Sequence, residues 1–225
     1  MLKLGYFTHT DVSPSETFIY DLIKSLNENN KIDLTVFGGN INHQINGVKK
    51  LKTISTGYSQ IGYKNSFILY KIGQLIGRKG NLLKNNYQQK CAYNSLIKNI
   101  DDKLLPDVAY IDYGSSAVIC YKYLKKKKIP FIVHVHGYDV TSAINDDFYK
   151  KELHNVFKTA KYVIAASNYI RRILIMLGCP SEKIKVIRYG LDKSLAKPLS
   201  WLERKKINPS IIFLGRLTPK KNPIA

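Results

Sequence analysis

Val108-Ala109-Tyr110-Ile111-Asp112 and Pro130-Phe131-Ile132-Val133-His134-Val135 are two short apolar runs, each closed by polar residues, with His136-Gly137-Tyr138-Asp139 following the second. Between them Ser115–Leu124 reads as a helix that ends in the lysine run Lys125–Lys128. Strand, helix and strand over about 30 residues is the unit from which parallel sheets are built. The same rhythm extends in both directions. Upstream, Leu2–Thr8 reads as a buried strand. Thr17 to Asn27 carries Phe18, Ile19, Leu22, Ile23 and Leu26 at helical spacing, and Lys31–Phe37 alternates like a strand. Val48–Ser55 is a weaker strand, and a helical region spans about 65–102, with breaks expected near Gly77 and Gly80. Downstream come a helix at Asp147–Thr159, a strand at Tyr162–Ala165, a helix at Asn168–Leu177 stopped by Gly178 and Pro180, and a strand at Ile184–Ile187. Asp192–Asn208 is polar and proline-interrupted and reads as a linker, after which Ile211–Leu214 starts another strand.

This alternation predicts an α/β fold: a Rossmann-like three-layer parallel sheet with helices on both faces. In such sheets ligands sit beyond the carboxyl ends of the strands. The informative residues are therefore those just after each strand: His9 to Thr17, Asp112 to Ser115, His136 to Asp139, Ser167, and Arg188 to Asp192.

The chain has 225 residues, 44% of them hydrophobic, enough for one large domain or one and a fraction. No apolar run reaches the roughly 18 residues of a membrane-spanning helix. The amino-terminal apolar stretch is too short for a signal peptide, so the expected location is the cytoplasm. Cys91, Cys120 and Cys179 are odd in number and widely spaced, and read as free thiols. The net charge of +20 is unevenly spread, since no acidic residue lies between Asp33 and Asp101. Such a surface attracts nucleic acid, anionic lipid or anionic small molecules. Tyr63–Lys84 sets Phe67, Ile68, Ile72, Leu75 and Ile76 against Lys71, Gln74 and Arg78. It reads either as a basic amphipathic helix on an anionic membrane surface or as a core helix with a solvated basic face.

His136 stands in a polar turn after an apolar strand, where an imidazole either meets a ligand or bonds its own turn. Gly137 beside it lets backbone approach a ligand closely. His134 and His136 share one face of a strand, a spacing that suits a metal pair, but no third ligand is evident nearby and no metal is expected. In the first loop, Ser15 suits an N-cap and Glu16 the first turn of a helix, with Thr17 next; a phosphate or sugar could rest there, or the residues simply cap. Arg216 and Lys221 follow the last strand, around Pro219.

Taken in order, His136-Gly137-Tyr138-Asp139, Ala166-Ser167-Asn168, the run Leu177 to Ile187, Tyr189-Gly190-Leu191-Asp192, and Gly215-Arg216-Leu217 with Lys221-Asn222 resemble glycosyltransferase family 4, the retaining GT-B enzymes. Ser15-Glu16-Thr17-Phe18-Ile19 is similar to a variant found in bacterial polysaccharide enzymes of that family. Tyr189 departs from it, standing where Asn or His is usual. The resemblance implies an acceptor-binding domain over 1–191, a linker over 192–209, and the first strand and loop of a donor-binding domain over 210–225. The family's Glu-x7-Glu signature would lie beyond Ala225. It also implies transfer of a sugar from a nucleoside-diphosphate sugar to a glycan or lipid-linked acceptor, without a metal or other cofactor, at the inner face of the membrane. This piece is expected to be inactive alone.

By the same resemblance His136 contacts the transferred sugar. Ser15, Glu16 and Thr17 lie near the diphosphate or acceptor, and Gly137, Asp139 and Ser167 belong to the substrate edge, with Asp139 mainly orienting the turn. Gly215, Arg216 and Lys221 hold the diphosphate, so His136 and Arg216 are expected to face one crevice. A basic α/β nucleic-acid-binding protein and a non-catalytic binding remnant are the rival readings. Against the first, the Lys125–Lys128 run lies at a helix C-terminus, where it complements the dipole, and no strand carries an RNA-binding aromatic motif.

Overall fold

A computed structural model describes residues 1–8, 17–38, 52–55, 78–190, 199–208, 211 and 213. Backbone contacts divide the chain into two units, Met1–Tyr189 and Gly190–Ala225. In chain order the elements of the first unit are β1 (Leu2–Phe7), α1 (Thr17–Asn27), β2 (Ile32–Gly38), β3 (Lys52–Ser55), α2 (Arg78–Asn99), β4 (Val108–Asp112), α3 (Gly114–Lys126), β5 (Phe131–Val135), α4 (Gly137–Thr141), α5 (Asp147–Thr159), β6 (Tyr162–Ala165), α6 (Asn168–Met176) and β7 (Ile184–Val186). The second unit contributes α7 (Trp201–Lys205).

The strands form one seven-stranded sheet in the order β3-β2-β1-β4-β5-β6-β7, and every pairing is parallel. The fold is the expected Rossmann-like α/β sheet. Strand order reverses between β1 and β4, which opens a crevice at their carboxyl ends. Side chains alternate across a strand, so β1 and β4 serve two cores at once. Leu4 and Tyr6 join Ile19 and Ile23 of α1 on one face, with Val108 and Tyr110 packed against them. Phe7, Ala109 and Ile111 join Leu96 of α2, Leu124 of α3 and Leu153 of α5 on the other. Between those three helices lies a polar knot. The buried Glu152 carboxylate accepts from Gln89 Nε2 at 2.6 Å and Tyr121 Oη at 2.8 Å, and pairs with Lys122 at 3.1 Å. Burial pushes the Glu152 carboxyl up, but its donors outweigh that and hold it below its ordinary value.

Three local expectations change. Helix α2 runs through Gly80 without a break; the glycine sits in its first turn, where backbone N–H groups lack intrahelical partners anyway. The polar stretch read as a linker contains α7, started by a capping box in which Ser200 Oγ accepts from Glu203 N (3.3 Å) and Glu203 accepts from Ser200 N (2.7 Å). The turn after β5 is the short helix α4, with His136 as its N-cap. Gly178 ends α6 at φ 85°, where its N–H reaches Ile175 O and that of Cys179 reaches Leu174 O. Most of Tyr63–Lys84 and half of Ile211–Leu214 lie outside the described residues. Among the described residues no helix is long and apolar enough to cross a membrane.

Candidate functional site

The register between strands assembles the site. Tyr6 of β1 pairs with Tyr110 of β4, and Asp112 of β4 pairs with His134 of β5. All four lie on the face covered by α1, and His136 follows two residues beyond His134 on the same side. Tyr6 and Tyr110 stack at 5.3 Å, and each phenol reaches one step up the sheet. Tyr6 Oη donates to Asp112 Oδ2 at 2.8 Å, and Tyr110 Oη meets His134 Nδ1 at 2.7 Å. Asp112 Oδ1 lies 2.7 Å from His136 Nε2, and the Tyr189 phenol lies 2.7 Å from His136 Nδ1. Rings enclose the His136 imidazole: Tyr113 at 4.2 Å, His134 at 4.8 Å and Phe18 of α1 at 5.4 Å.

Partners settle the proton positions. A carboxylate only accepts, so in the neutral imidazole of His136 the proton is on Nε2, facing Asp112; the Tyr189 oxygen, 2.7 Å from Nδ1 and 3.3 Å from Nε2 with the two rings nearly parallel, lies over the imidazole face. Burial, then the Asp112 charge, raises the Tyr189 hydroxyl well above the ordinary tyrosine value, so it stays protonated. Burial and Asp112 do the same for Tyr110, which donates to His134 Nδ1. The His134 proton is then on Nε2, a buried atom without a hydrogen-bond partner among the described residues. Burial, then the neighbouring His136, pushes His134 down to about 4, against the pull of Asp112.

Asp139 is fully buried. Its Oδ2 accepts from His136 N at 2.9 Å, and its Oδ1 accepts from Ser115 N at 3.4 Å and Tyr149 Oη at 3.3 Å. It thereby ties the start of α4 to the start of α3 and holds His136 in place; its carboxylate faces backbone amides and not a ligand space. Burial raises its carboxyl above the ordinary value, and those amides pull it back in part. Gly114 makes this possible, because a Cβ there would lie 2.5 Å from Tyr149 Oη and 3.2 Å from Asp139 Cγ. The residue before it, Tyr113, takes φ 70°, an uncommon conformation for a bulky side chain that strains the chain where it leaves β4 for the site.

Of the other residues picked out by sequence, Gly137 is exposed, with open space around its Cα. Ser167 caps α6, its Oγ accepting from Ile170 N at 3.2 Å. Thr17 is the exposed first residue of α1. Ser15, Glu16, Gly215, Arg216 and Lys221 lie outside the described residues, and so does the expected pairing of His136 with Arg216. Sequence reading passes over the partners of His136. Asp112 is marked there only as a residue at a strand end, and Tyr189 only as a residue beyond the last strand that departs from a family pattern.

It also finds no third ligand for a metal beside His134 and His136, and the fold corrects this. Asp112, His134 and His136 bring ligand-type atoms within 4.8 Å of one another. Their geometry is that of a hydrogen-bonded cluster. The two imidazoles stack with only 28° between their planes, so their in-plane lone pairs do not converge on one point. Both Asp112 oxygens already accept hydrogen bonds.

A buried carboxylate–imidazole–phenol series at the carboxyl edge of a parallel sheet suits recognition of a hydroxyl-rich ligand beside the crevice. Among solved structures, the chain is similar to HepE of Anabaena in complex with UDP and glucose (15% identity, TM-score 0.54, covering 87% of this chain and 46% of that one). It is also similar to sucrose-phosphate synthase of Thermosynechococcus elongatus (14%, TM-score 0.55, covering 88% and 51%) and to UDP-N-acetylglucosamine 2-epimerase of Rickettsia bellii (17%, TM-score 0.50, covering 83% and 44%). At these identities the likeness is one of fold, which an epimerase shares with a synthase. The chain spans about half the length of these proteins. No curated protein matches it. The model of Glycosyltransferase Family 4 matches residues 15–195, most of the chain and every element from α1 to β7, and the chain belongs to that family.

Proposed function

We propose that this chain is the acceptor-side part of a retaining GT-B glycosyltransferase. The enzyme transfers a sugar from a nucleoside-diphosphate donor to a glycan or lipid-linked acceptor in the synthesis of bacterial surface polysaccharide. The observation that carries the reading is the Asp112–His136–Tyr189 series at the edge where strand order reverses, in a chain of this family. Structures of HepE contain UDP and UDP-glucose, which supports a nucleotide sugar as donor.

The bond from the anomeric carbon to the diphosphate oxygen breaks, the diphosphate leaves with both electrons, and an acceptor hydroxyl oxygen bonds to that carbon in its place. Arg216 and Lys221 balance that charge, so no metal is needed. Stabilising charge that develops only in the transition state is what accelerates the step. His136 and the groups around it hold the sugar hydroxyls while the ring carries positive charge, and the leaving phosphate takes the acceptor proton. Ser15, Glu16 and Thr17 line the diphosphate or acceptor side, with Gly137 and Ser167 at the sheet edge. The basic, carboxylate-free stretch between Asp33 and Asp101 brings the enzyme to the anionic inner face of the cytoplasmic membrane, each lysine near the surface contributing about 1 kcal/mol.

The test is sugar transfer by the natural gene product. Radiolabelled UDP-sugars are offered with extracted lipid-linked glycans, and label in the lipid fraction is counted. Label is expected with the wild type and not with His136→Ala, while the 225-residue chain alone turns nothing over. Equal label with His136→Ala refutes the site, and turnover by the 225-residue chain refutes the division of labour. Preference for mixed-sequence DNA over anionic vesicles at matched salt refutes the membrane partner.

A further inference from the structure

We propose that the solvent face of α5 and α6 docks on a membrane containing anionic lipid, with Ile175 and Met176 entering the headgroup layer and the surrounding cations facing lipid phosphates. This gives a surface to the membrane partner proposed above and rests on that reading. Its residues lie outside the basic stretch between Asp33 and Asp101.

From Phe148 to Ser181 the sequence holds six cations, Lys150, Lys151, Lys158, Lys161, Arg171 and Arg172, and one carboxylate, Glu152. The fold separates the two signs. Glu152 is buried and turned inward, where Gln89, Tyr121 and Lys122 engage it. Five of the cations are exposed and Arg171 is half-buried. Among the described residues none of the six forms an ion pair. Along α5, Glu152, Leu153, Val156 and Phe157 face the core, so Lys151 and Lys158, two turns apart, share the opposite side. Along α6, Ile170 and Leu174 face the core, which turns Arg172 and Met176, four residues apart, to solvent.

Two contacts join these faces. The chain at Gly178, just past α6, lies against the ring of His154, since a Cβ there would meet its Cε1 at 3.1 Å. Lys183 Nζ donates to Phe157 O at 3.1 Å and Lys158 O at 2.8 Å, fastening the turn after α6 to the end of α5. The end of α6 carries the apolar tip: Met176 is 85% exposed and Ile175 40%. An apolar tip beside a fringe of flexible cations matches the interface of an anionic bilayer, which supplies phosphates and apolar depth together and demands no fixed geometry. A nucleic-acid backbone supplies the charge but leaves Ile175 and Met176 in water.

The experiment is flotation of the 225-residue chain with phosphatidylcholine vesicles, with and without phosphatidylglycerol. Wild type should bind only the anionic vesicles. The triple variant Lys151→Gln, Lys158→Gln, Arg172→Gln should bind at least about tenfold more weakly at low salt, an effect that shrinks as salt screens the charges. Met176→Ser should lose about tenfold at low and high salt alike. A control triple, Lys3→Gln, Lys24→Gln, Lys31→Gln, removes the same charge from the layer of α1 and should bind nearly as wild type does. Met176→Trp in a Trp201→Phe background gives a reading that needs no loss of binding: brominated acyl chains should quench its fluorescence.

Wild-type affinity retained by both the α5–α6 triple and Met176→Ser, or an equal loss in the control triple, overturns this surface and leaves the membrane partner standing on another part of the chain. No wild-type binding to anionic vesicles overturns both. Tighter binding to mixed-sequence DNA than to the vesicles, weakened by the same α5–α6 triple, overturns the choice of lipid. Unquenched emission at position 176 in the vesicle-bound protein overturns the insertion.

Discussion

Acidifying the protein from pH 7 to pH 5 should weaken the fold through one side chain, His134. Its imidazole is buried between Tyr110 and Tyr189 with no partner on Nε2 among the described residues, and burial with the neighbouring His136 holds its pKa near 4. An unfolded chain restores the ordinary histidine value near 6.5. Between those two values the unfolded state binds a proton that the folded state refuses, so stability rises with pH in that window and is lost as pH falls. Each pH unit in the window is worth about 1.4 kcal/mol, which makes the loss about 2 kcal/mol by pH 5 and about 3 kcal/mol by pH 4. Asp139, raised by burial, works the other way as pH falls. Glu152, held low by its donors, adds to the loss only below the ordinary glutamate range. The assay is therefore a difference: urea unfolding followed by far-UV circular dichroism, for wild type and His134→Gln, at pH 5, 6 and 7. His134→Gln lacks the titrating group, so the wild type should lose about 2 kcal/mol more than the variant between pH 7 and pH 5. Parallel pH profiles for the two proteins would refute the account of His134 as a buried neutral imidazole.

Gly114→Ala should destabilise the fold by about 1–3 kcal/mol, because its methyl group would sit 2.5 Å from Tyr149 Oη; Tyr149→Phe in the same chain should recover part of that loss in urea unfolding. Glu152→Ala strands the groups that converge from Gln89, Tyr121 and Lys122, and a drop of about 2–4 kcal/mol is expected in the same assay. Zinc should not raise the thermal midpoint, since the His134 and His136 rings do not aim at a common point; a rise saturating at one equivalent would reinstate Asp112, His134 and His136 as a metal site.

Periodicity along the chain determined the class of fold and the place to look for chemistry. Apolar runs of strand length separated by amphipathic helices require a parallel sheet, and Gly178 and Pro180 mark a helix end, because those signals act within a few residues of themselves. The same reading overlooked the Ser200–Glu203 capping box, which its spacing does announce, and took Gly80 for a break where the first turn of α2 tolerates it. Tertiary structure alone decided what His136 does. Its partner Asp112 is 24 residues away and Tyr189 is 53 residues away, on other elements. Which side chains stand opposite one another is a property of two strands together: a shift of one residue between β4 and β5 would turn Asp112 to the other face and leave the imidazole without its carboxylate. Alternation within either strand is blind to that register, so the residues could be chosen from sequence while their hydrogen bonds could come only from the folded sheet.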